Sequence, residues 1–358
     1  MLYPLLFEPI LKEKIWGGRT MEDKFGRHLP SDRIGESWDI ACHENGNSVV
    51  ANGSLKGQTL QQLIETYTSA ILGNDVYRRY GTRFPLLIKI LDAAQDLSVQ
   101  VHPSDAYAAL HEDGQMGKTE MWYIIHAKPG SRLIYGVLPG TSRDDFEKAL
   151  KQGQLEKCLN SIEVEPGDVL YIPAGTVHAI GSGIMICEIQ QNSDMTYRVY
   201  DWNRLGDDGK PRELHIDKAL DVIDFAGRNS LGKLAGLSVE EEGGSRTYYV
   251  ACRHFAMEKI ECHGMIKGIA DGSKFFTLTI VNGYGEIEYG EGRQALKPGD
   301  SLLIPACLGE YNIKGNCTVI KAYVPDREKD VIAPLMAKGY TLEQLRVIGG
   351  LFEQEAEN

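Results

Sequence analysis

Hydrophobic and polar positions alternate along this chain in two rhythms. Over residues 59–71, Leu60, Leu63, Ile64, Tyr67 and Ile71 recur at the spacing of one helix face. Thr59 with Gln62 adds a capping-box signature, so this segment predicts an amphipathic helix packed on another layer. A second helix is predicted from about Ser142, with Phe146, Ala149 and Leu150 on one face. The tail after Pro325 also reads as helical and carries a capping-box pair at Thr341 and Gln344. Elsewhere short strands prevail. Residues 1–54 hold turn residues and short apolar pieces such as Trp38-Asp39-Ile40-Ala41. Residues 84–91 and 97–102 read as two strands joined by 92–96. Short strands continue over 162–200. From 246 to 324 almost everything reads as β, with runs such as 275–281 separated by turns at Asn282-Gly283 and Glu291-Gly292.

An internal repeat organises these strands. Glu165-Pro-Gly-Asp-Val-Leu-Tyr-Ile-Pro-Ala-Gly-Thr-Val-His178 returns 132 residues later as Lys297-Pro-Gly-Asp-Ser-Leu-Leu-Ile-Pro-Ala-Cys-Leu-Gly-Glu310, with seven of fourteen positions identical. Each copy is a Pro-Gly-Asp turn, a short apolar strand and a terminal proline, placed where no ladder donor is needed. Chance likeness between two strand-turn units would not preserve the spacing of both prolines, so we read a duplication. The copies differ where chemistry could sit. His178 becomes Glu310, and Gly175 becomes Cys307. A ligand-type residue in one copy points to one functional site, in the first β domain.

Composition narrows the class of protein. A length of 358 residues fits about two domains, or one large domain with insertions. Glycine, at 39 residues, exceeds the usual share of roughly 7% and agrees with many tight turns. The net charge of −12 counts against a nucleic-acid partner, because phosphate backbones need net positive surface. It leaves room for a small anionic substrate in a local positive pocket. Apolar runs are too short to span a membrane, and the N-terminus shows no signal-peptide pattern. The seven cysteines are scattered and never spaced C-x-x-C, which argues against a disulfide framework or a thiolate zinc site. A cytoplasmic, thiol-reduced protein is expected.

Candidate chemistry gathers around His178. Gln100 and His102 flank Val101 and would share one face of a strand, and Lys118 and Glu120 flank Thr119 in the same way. Two histidines, a glutamate and the Gln100 amide make a four-member N/O set that suits zinc with room for water or substrate. By spacing alone, ordinary core or surface histidines explain these residues as well. Asp194 and Arg198, in Glu188-Ile-Gln190-Gln-Asn-Ser-Asp194-Met-Thr-Tyr-Arg198, could bring a carboxylate and a guanidinium to one cleft. Taken alone, that segment reads better as a solvated loop with a surface ion pair.

Taken together, the motifs resemble a family. Gly167-x5-Pro173-x-Gly175-x2-His178 looks like the second cupin motif, and Gly299-x5-Pro305 like its worn copy. Gln100-Val-His102-Pro103, Lys118-Thr-Glu120-Met-Trp-Tyr123, Pro173-Ala-Gly-Thr-Val-His178-Ala and Gln190-Gln-Asn-Ser-Asp194-x-Thr-Tyr-Arg198 resemble the class I, zinc-dependent, cupin-type mannose-6-phosphate isomerases. The chain length and the degenerate second β domain resemble their short bacterial form. The motifs run in family order over about 100 residues, and the repeat extends the likeness towards residue 325.

The resemblance implies a mainly β fold of two cupin-type jelly-roll β-barrel domains with helical insertions, the second cupin degenerate. The expected layout is a catalytic cupin domain at 1–240, a degenerate cupin domain at 241–325 and a helical tail at 326–358. It implies one Zn²⁺ per chain, with His102, Glu120 and His178 as ligands and Gln100 as the additional amide ligand. Arg198 matches the family's catalytic arginine, Lys118 its active-site lysine, and Ser98 a serine associated with substrate phosphate. Lys118 and Arg198 are further candidates for phosphate recognition. The implied reaction interconverts mannose 6-phosphate and fructose 6-phosphate through a cis-enediol. Asp194 is the candidate base, with a zinc-bound water or His102 as alternatives. No Gly-rich phosphate loop or evident Arg cluster appears. The expected partner is a small sugar phosphate, with neither nucleic acid nor membrane; oligomeric state is left open.

Two rivals follow from the same scaffold. An Fe(II) oxygenase is disfavoured by Gln100, which stands where a His-x-His pair is expected. A sugar-phosphate-binding or regulatory cupin without turnover is disfavoured by Lys118, Glu120 and Arg198 together, since binding alone does not need all three. A fused nucleotide-sugar transferase would need more length and a Gly-rich loop.

Overall fold

The Pro-Gly-Asp repeat folds twice into the same turn. Glu165 N donates to Asp168 Oδ2 at 2.8 Å, and Lys297 N to Asp300 Oδ2 at 3.0 Å. Gly167 and Gly299 take φ of +97° and +87°, a region that side chains avoid and glycine tolerates. The strands Val169–Ile172 and Ser301–Ile304 follow. After them Thr176 N reaches Pro173 O at 3.2 Å and Leu308 N reaches Pro305 O at 3.0 Å. Matched geometry over matched sequence supports the duplication.

A computed structural model describes residues 2–206, 208–227 and 232–353. Within these, the strands form three large antiparallel sheets and one short pair. A six-stranded sheet runs Val169–Ile172, Glu120–Ala127, Ile184–Gln191, Leu86–Ala93, Ile34–Ile40 and Ile10–Gly18. A five-stranded sheet runs Leu159–Glu163, Arg132–Val137, His178–Ala179, Val99–Val101 and Tyr197–Tyr200. The two face each other. Trp122 and Ile124 of the first share a core with Leu133 and Tyr135 of the second, and the Tyr135 hydroxyl donates to Tyr171 O at 2.8 Å.

The third sheet, of ten strands, belongs to the second half of the chain. Leu5–Glu8 nevertheless joins it, with Leu5 opposite Leu303, and Val49–Val50 extends it. The tail is helical in short pieces, Glu328–Ile332, Ala333–Ala337 and Leu342–Leu345. It buries Val331, Leu335, Leu345 and Leu351 against the core of the third sheet.

The predicted helices formed with changed ends. The Thr59–Gln62 capping box is present, but the helix stops at Leu60–Tyr67 because Thr68 turns to φ +44°. Ile71 lies on a separate turn, Ser69–Leu72. The helix Arg143–Lys151 starts at a Ser142–Asp145 box and buries Phe146. The link read at 92–96 begins later than predicted, because Asp92 and Ala93 belong to the strand Leu86–Ala93. Among the described residues, no helix is long and apolar enough to cross a membrane.

Candidate active site

The site lies between the two facing sheets. His178 opens its strand directly opposite Gln100. His102 follows the strand Val99–Val101, and Glu120 opens a strand of the other sheet, opposite Gln190 and Ile172. Residues from both layers therefore meet at one point. Gly175 N donates to His102 O at 2.9 Å, tying the turn before His178 to the second histidine. Gly175 has φ +88°, and a Cβ there would stand 2.9 Å from Val222 O, so this turn requires glycine. On the other side, Gln191 Oε1 accepts from Thr119 N at 2.9 Å while its amide donates to Asp105 Oδ1 at 2.9 Å. The peptide between Lys118 and Glu120 is thus held in place.

His102, Glu120 and His178 are buried, and their ligand atoms lie within 4.8 Å of one another. Glu120 Oε1 is 3.2 Å from His178 Nε2, and Oε2 is 3.5 Å from His102 Nε2 and 3.3 Å from Lys118 Nζ. None of these approaches is an aligned hydrogen bond, so both carboxylate oxygens and both His102 nitrogens lack a hydrogen-bond partner. Burial pushes His178 down to about 4. Burial, with Lys118 nearby, pushes His102 well below its usual range. Both rings are therefore neutral near pH 7. His178 Nδ1 is 2.9 Å from Thr176 O, a contact it can make only as donor, which directs the Nε2 lone pair at Glu120. A buried carboxylate faced by two neutral imidazoles, with orphaned polar atoms, is the donor set a divalent cation satisfies. Gln100 Nε2 lies 3.2 Å from His178 Nε2. Turning that amide over would present its oxygen instead.

A cavity of about 300 Å³ opens beside this cluster. Ser98, Gln100, Lys118, Asp194 and Arg198 line it, so the structure brings these predicted residues to one place beside the His102–Glu120–His178 cluster. Lys118 is buried; burial disfavours its charge, but Glu120 and Glu188 outweigh that and raise its pKa. Asp194 is exposed and accepts from Asn45 Nδ2 at 3.4 Å.

Glu36, Lys89, Glu188 and Arg212 line the same cavity, and the sequence reading gave them no role. Lys89 lies opposite both Glu188 and Trp38 in the sheet, with its ammonium 3.5 Å from Glu188 Oε2. Trp38 and Trp122 donate to Glu36 and Glu188 at 2.7 and 3.1 Å. The available signal was a lone charge within an apolar run, as in Ile88-Lys89-Ile90 and Cys187-Glu188-Ile189.

Residues 5–118 match the family model for the phosphomannose isomerase type I catalytic domain, and residues 245–324 match that for the mannose-6-phosphate isomerase cupin domain. Over 321 residues, covering 90% of this chain and 99% of the relative, the sequence is 41% identical to mannose-6-phosphate isomerase ManA of Bacillus subtilis. The chain belongs to the type I phosphomannose isomerase family. Mannose-6-phosphate isomerase of Streptococcus mutans is 39% identical over 90% of this chain and 99% of its own. The crystal structure of the mannose 6-phosphate isomerase from Bacillus subtilis superposes with a TM-score of 0.82 at 38% identity, over 90% of this chain and 99% of that one. Phosphomannose isomerase from Salmonella typhimurium, at 18% identity and TM-score 0.73 over 90% of this chain and 100% of that one, shares the fold. The cupin assignment and the mainly β architecture agree with these matches. Glu310, which replaces His178 in the second cupin copy, is exposed.

Proposed function

We propose that this chain interconverts mannose 6-phosphate and fructose 6-phosphate at the cavity beside His102, Glu120 and His178, with one Zn²⁺ per chain held by those three residues. The single observation that carries this reading is the buried His102–Glu120–His178 cluster, with Glu120 and His102 lacking hydrogen-bond partners, beside a cavity lined by Lys118 and Arg198. Relatives bearing the isomerase name across almost their whole length support it. Gln100, with its amide oxygen turned inward, is the candidate fourth ligand. When bound, the metal supplies Lewis-acid polarisation of substrate oxygens.

The chain's own groups do the rest. Isomerisation moves a proton between C2 and C1 through a cis-enediol, with negative charge developing on the sugar oxygens. Lys118, from the buried wall, and half-buried Arg198 stabilise that charge from fixed positions. A carboxylate removes the proton at C2 and returns it at C1. Asp194, at the rim of the cavity, is our candidate. Ser98, Lys118 and Arg198 also contact the substrate. The compartment we assign is the cytoplasm, in keeping with seven free cysteines.

The test is to measure bound metal and follow fructose 6-phosphate formation from mannose 6-phosphate before and after chelation. Chelation should abolish turnover and zinc should restore it. His178→Ala should lose metal and activity together. Arg198→Ala should keep the metal and lose kcat by a factor of about 100 or more. Zinc-loaded protein without turnover would instead favour a sugar-phosphate-binding protein.

A further inference from the structure

The folded chain gathers arginines that lie scattered in the sequence. Arg204 and Arg212 close on Asp201, which is 5% exposed, and Arg198 stands near enough to feel all three. Arg212 Nε and Nη2 donate to Asp201 Oδ2 and Oδ1 at 2.7 and 2.6 Å. Arg204 donates to Asp201 Oδ1 at 2.7 Å and to the carbonyls of Asp201 and Asp96, so its role is to hold the loop. Arg212 differs. Its Nη1 has no partner among the described residues, and its side chain lines the cavity beside Ser98 and Arg198. Arg198 Nη1 donates to Glu213 O at 2.8 Å, but its Nε is buried and unpartnered.

Charge is distributed unevenly around this cavity. Lys89 faces Glu188 at 3.5 Å, Lys14 faces Glu36 at 2.9 Å, and Lys118 faces Glu120 at 3.3 Å, so those charges cancel in pairs. At the other end Arg204 and Arg212 pair with the one buried carboxylate of Asp201, and Arg198 stands beside them. The nearby Glu213 carboxylate is 84% exposed and 3.9 Å from His215. Against Asp201 the three guanidiniums leave about two positive charges, and the carboxylate of Asp194 at the rim of the same cavity offsets at most one, so this end stays positive and suits a phosphate anion.

We propose that Arg212, aimed by Asp201, is the guanidinium that grips the substrate's phosphate, with Ser98 and Arg198 completing the pocket. The assignment rests on the sugar-phosphate reading of the cavity. Asp201 occupies one edge of the Arg212 fork and leaves the other edge for the anion. A lysine cannot serve both at once.

The experiment uses the zinc-loaded, full-length protein and two readouts, calorimetric binding of inorganic phosphate and steady-state kinetics with mannose 6-phosphate. Arg212→Ala should weaken phosphate binding and raise KM, each by a factor of about 10–100, with kcat falling less and metal content retained. Arg212→Lys should recover only part of the loss. Phosphate affinity and KM within twofold of the parent would overturn the assignment. If Arg212→Ala does not fold, as judged by its melting curve, Arg212→Lys decides: a tenfold loss of phosphate affinity supports the proposal, and parental affinity overturns it. A parent that binds phosphate through Arg212 yet never turns over mannose 6-phosphate would sink the isomerase reading alone.

Discussion

Glu188 and Asp194 face the same cavity from different surroundings. Burial and the neighbouring Glu120 raise the pKa of the Glu188 carboxyl, and Lys89 offsets this only in part. Asp194 stands at the exposed rim of the cavity. A base must be ionised when substrate arrives, and burial works against that at Glu188, so we assign proton abstraction to Asp194. Asp194→Asn should lower kcat, and deuterium incorporation at C2 from heavy water, by a factor of about 100–10,000. Glu188→Gln should lower exchange less. The reverse ranking would transfer the role of base to Glu188.

At the level of elements, periodicity and caps were legible where they were local. The capping boxes at Thr59 and Thr341 formed as the spacing predicted. The helices Thr20–Phe25, Asn74–Tyr80, Asp105–His111 and Ile216–Val222 were not foreseen, because six or seven residues show too little of a 3.6-residue period. Site residues close in sequence, such as Gln100 with His102, could be paired by strand alternation. The cross-sheet meeting of Glu120 with His178, and the convergence of Arg198 with Arg212, depend on tertiary contacts that no local pattern encodes. In the third sheet, Arg246 and Lys321 converge on buried Glu258, which also accepts from the Tyr323 hydroxyl at 2.6 Å. Burial alone would raise Glu258, but Lys321, Arg246 and Tyr323 hold it at about 2, against an ordinary value of 4.5. The carboxylate therefore contributes stability that is complete above about pH 4.5 and fades as pH falls towards 2. Glu258→Gln, which leaves Lys321 without its carboxylate and Arg246 with Glu241 alone, should cost about 3–5 kcal/mol at pH 7 in urea unfolding. Its deficit should shrink as the pH is lowered through that window. A deficit independent of pH would exclude this origin.

Across the whole molecule, the second copy of the repeat carries Glu310 where the first has His178, and instead joins the two halves. Arg27 donates to Asp39 through both terminal nitrogens, at 3.0 and 2.6 Å, and also to the carbonyl of Gly299 in the second Pro-Gly-Asp turn. Ser301 Oγ donates to Asp39 Oδ2 at 2.9 Å. Asp39→Ala would strand the Arg27 guanidinium in a nearly closed interface, at a cost of about 3–5 kcal/mol. Because the bond spans the two halves, calorimetry of Asp39→Ala should show a broadened or divided unfolding transition. A single transition at the parental temperature would show that the halves are joined by other means.

The pairing of Leu5 with Leu303 has a consequence for how the protein is made. The first strand emerges from the ribosome about 300 residues before the strand it pairs with. At roughly 5–20 residues per second, that partner is missing for about 15–60 s. During this interval an apolar strand edge is exposed on a growing chain, which is the circumstance in which chaperones are recruited and pairing with a neighbouring chain competes. His102, Glu120 and His178 are synthesised in that same interval, so their cluster can assemble before the strand that closes the sheet has found its place.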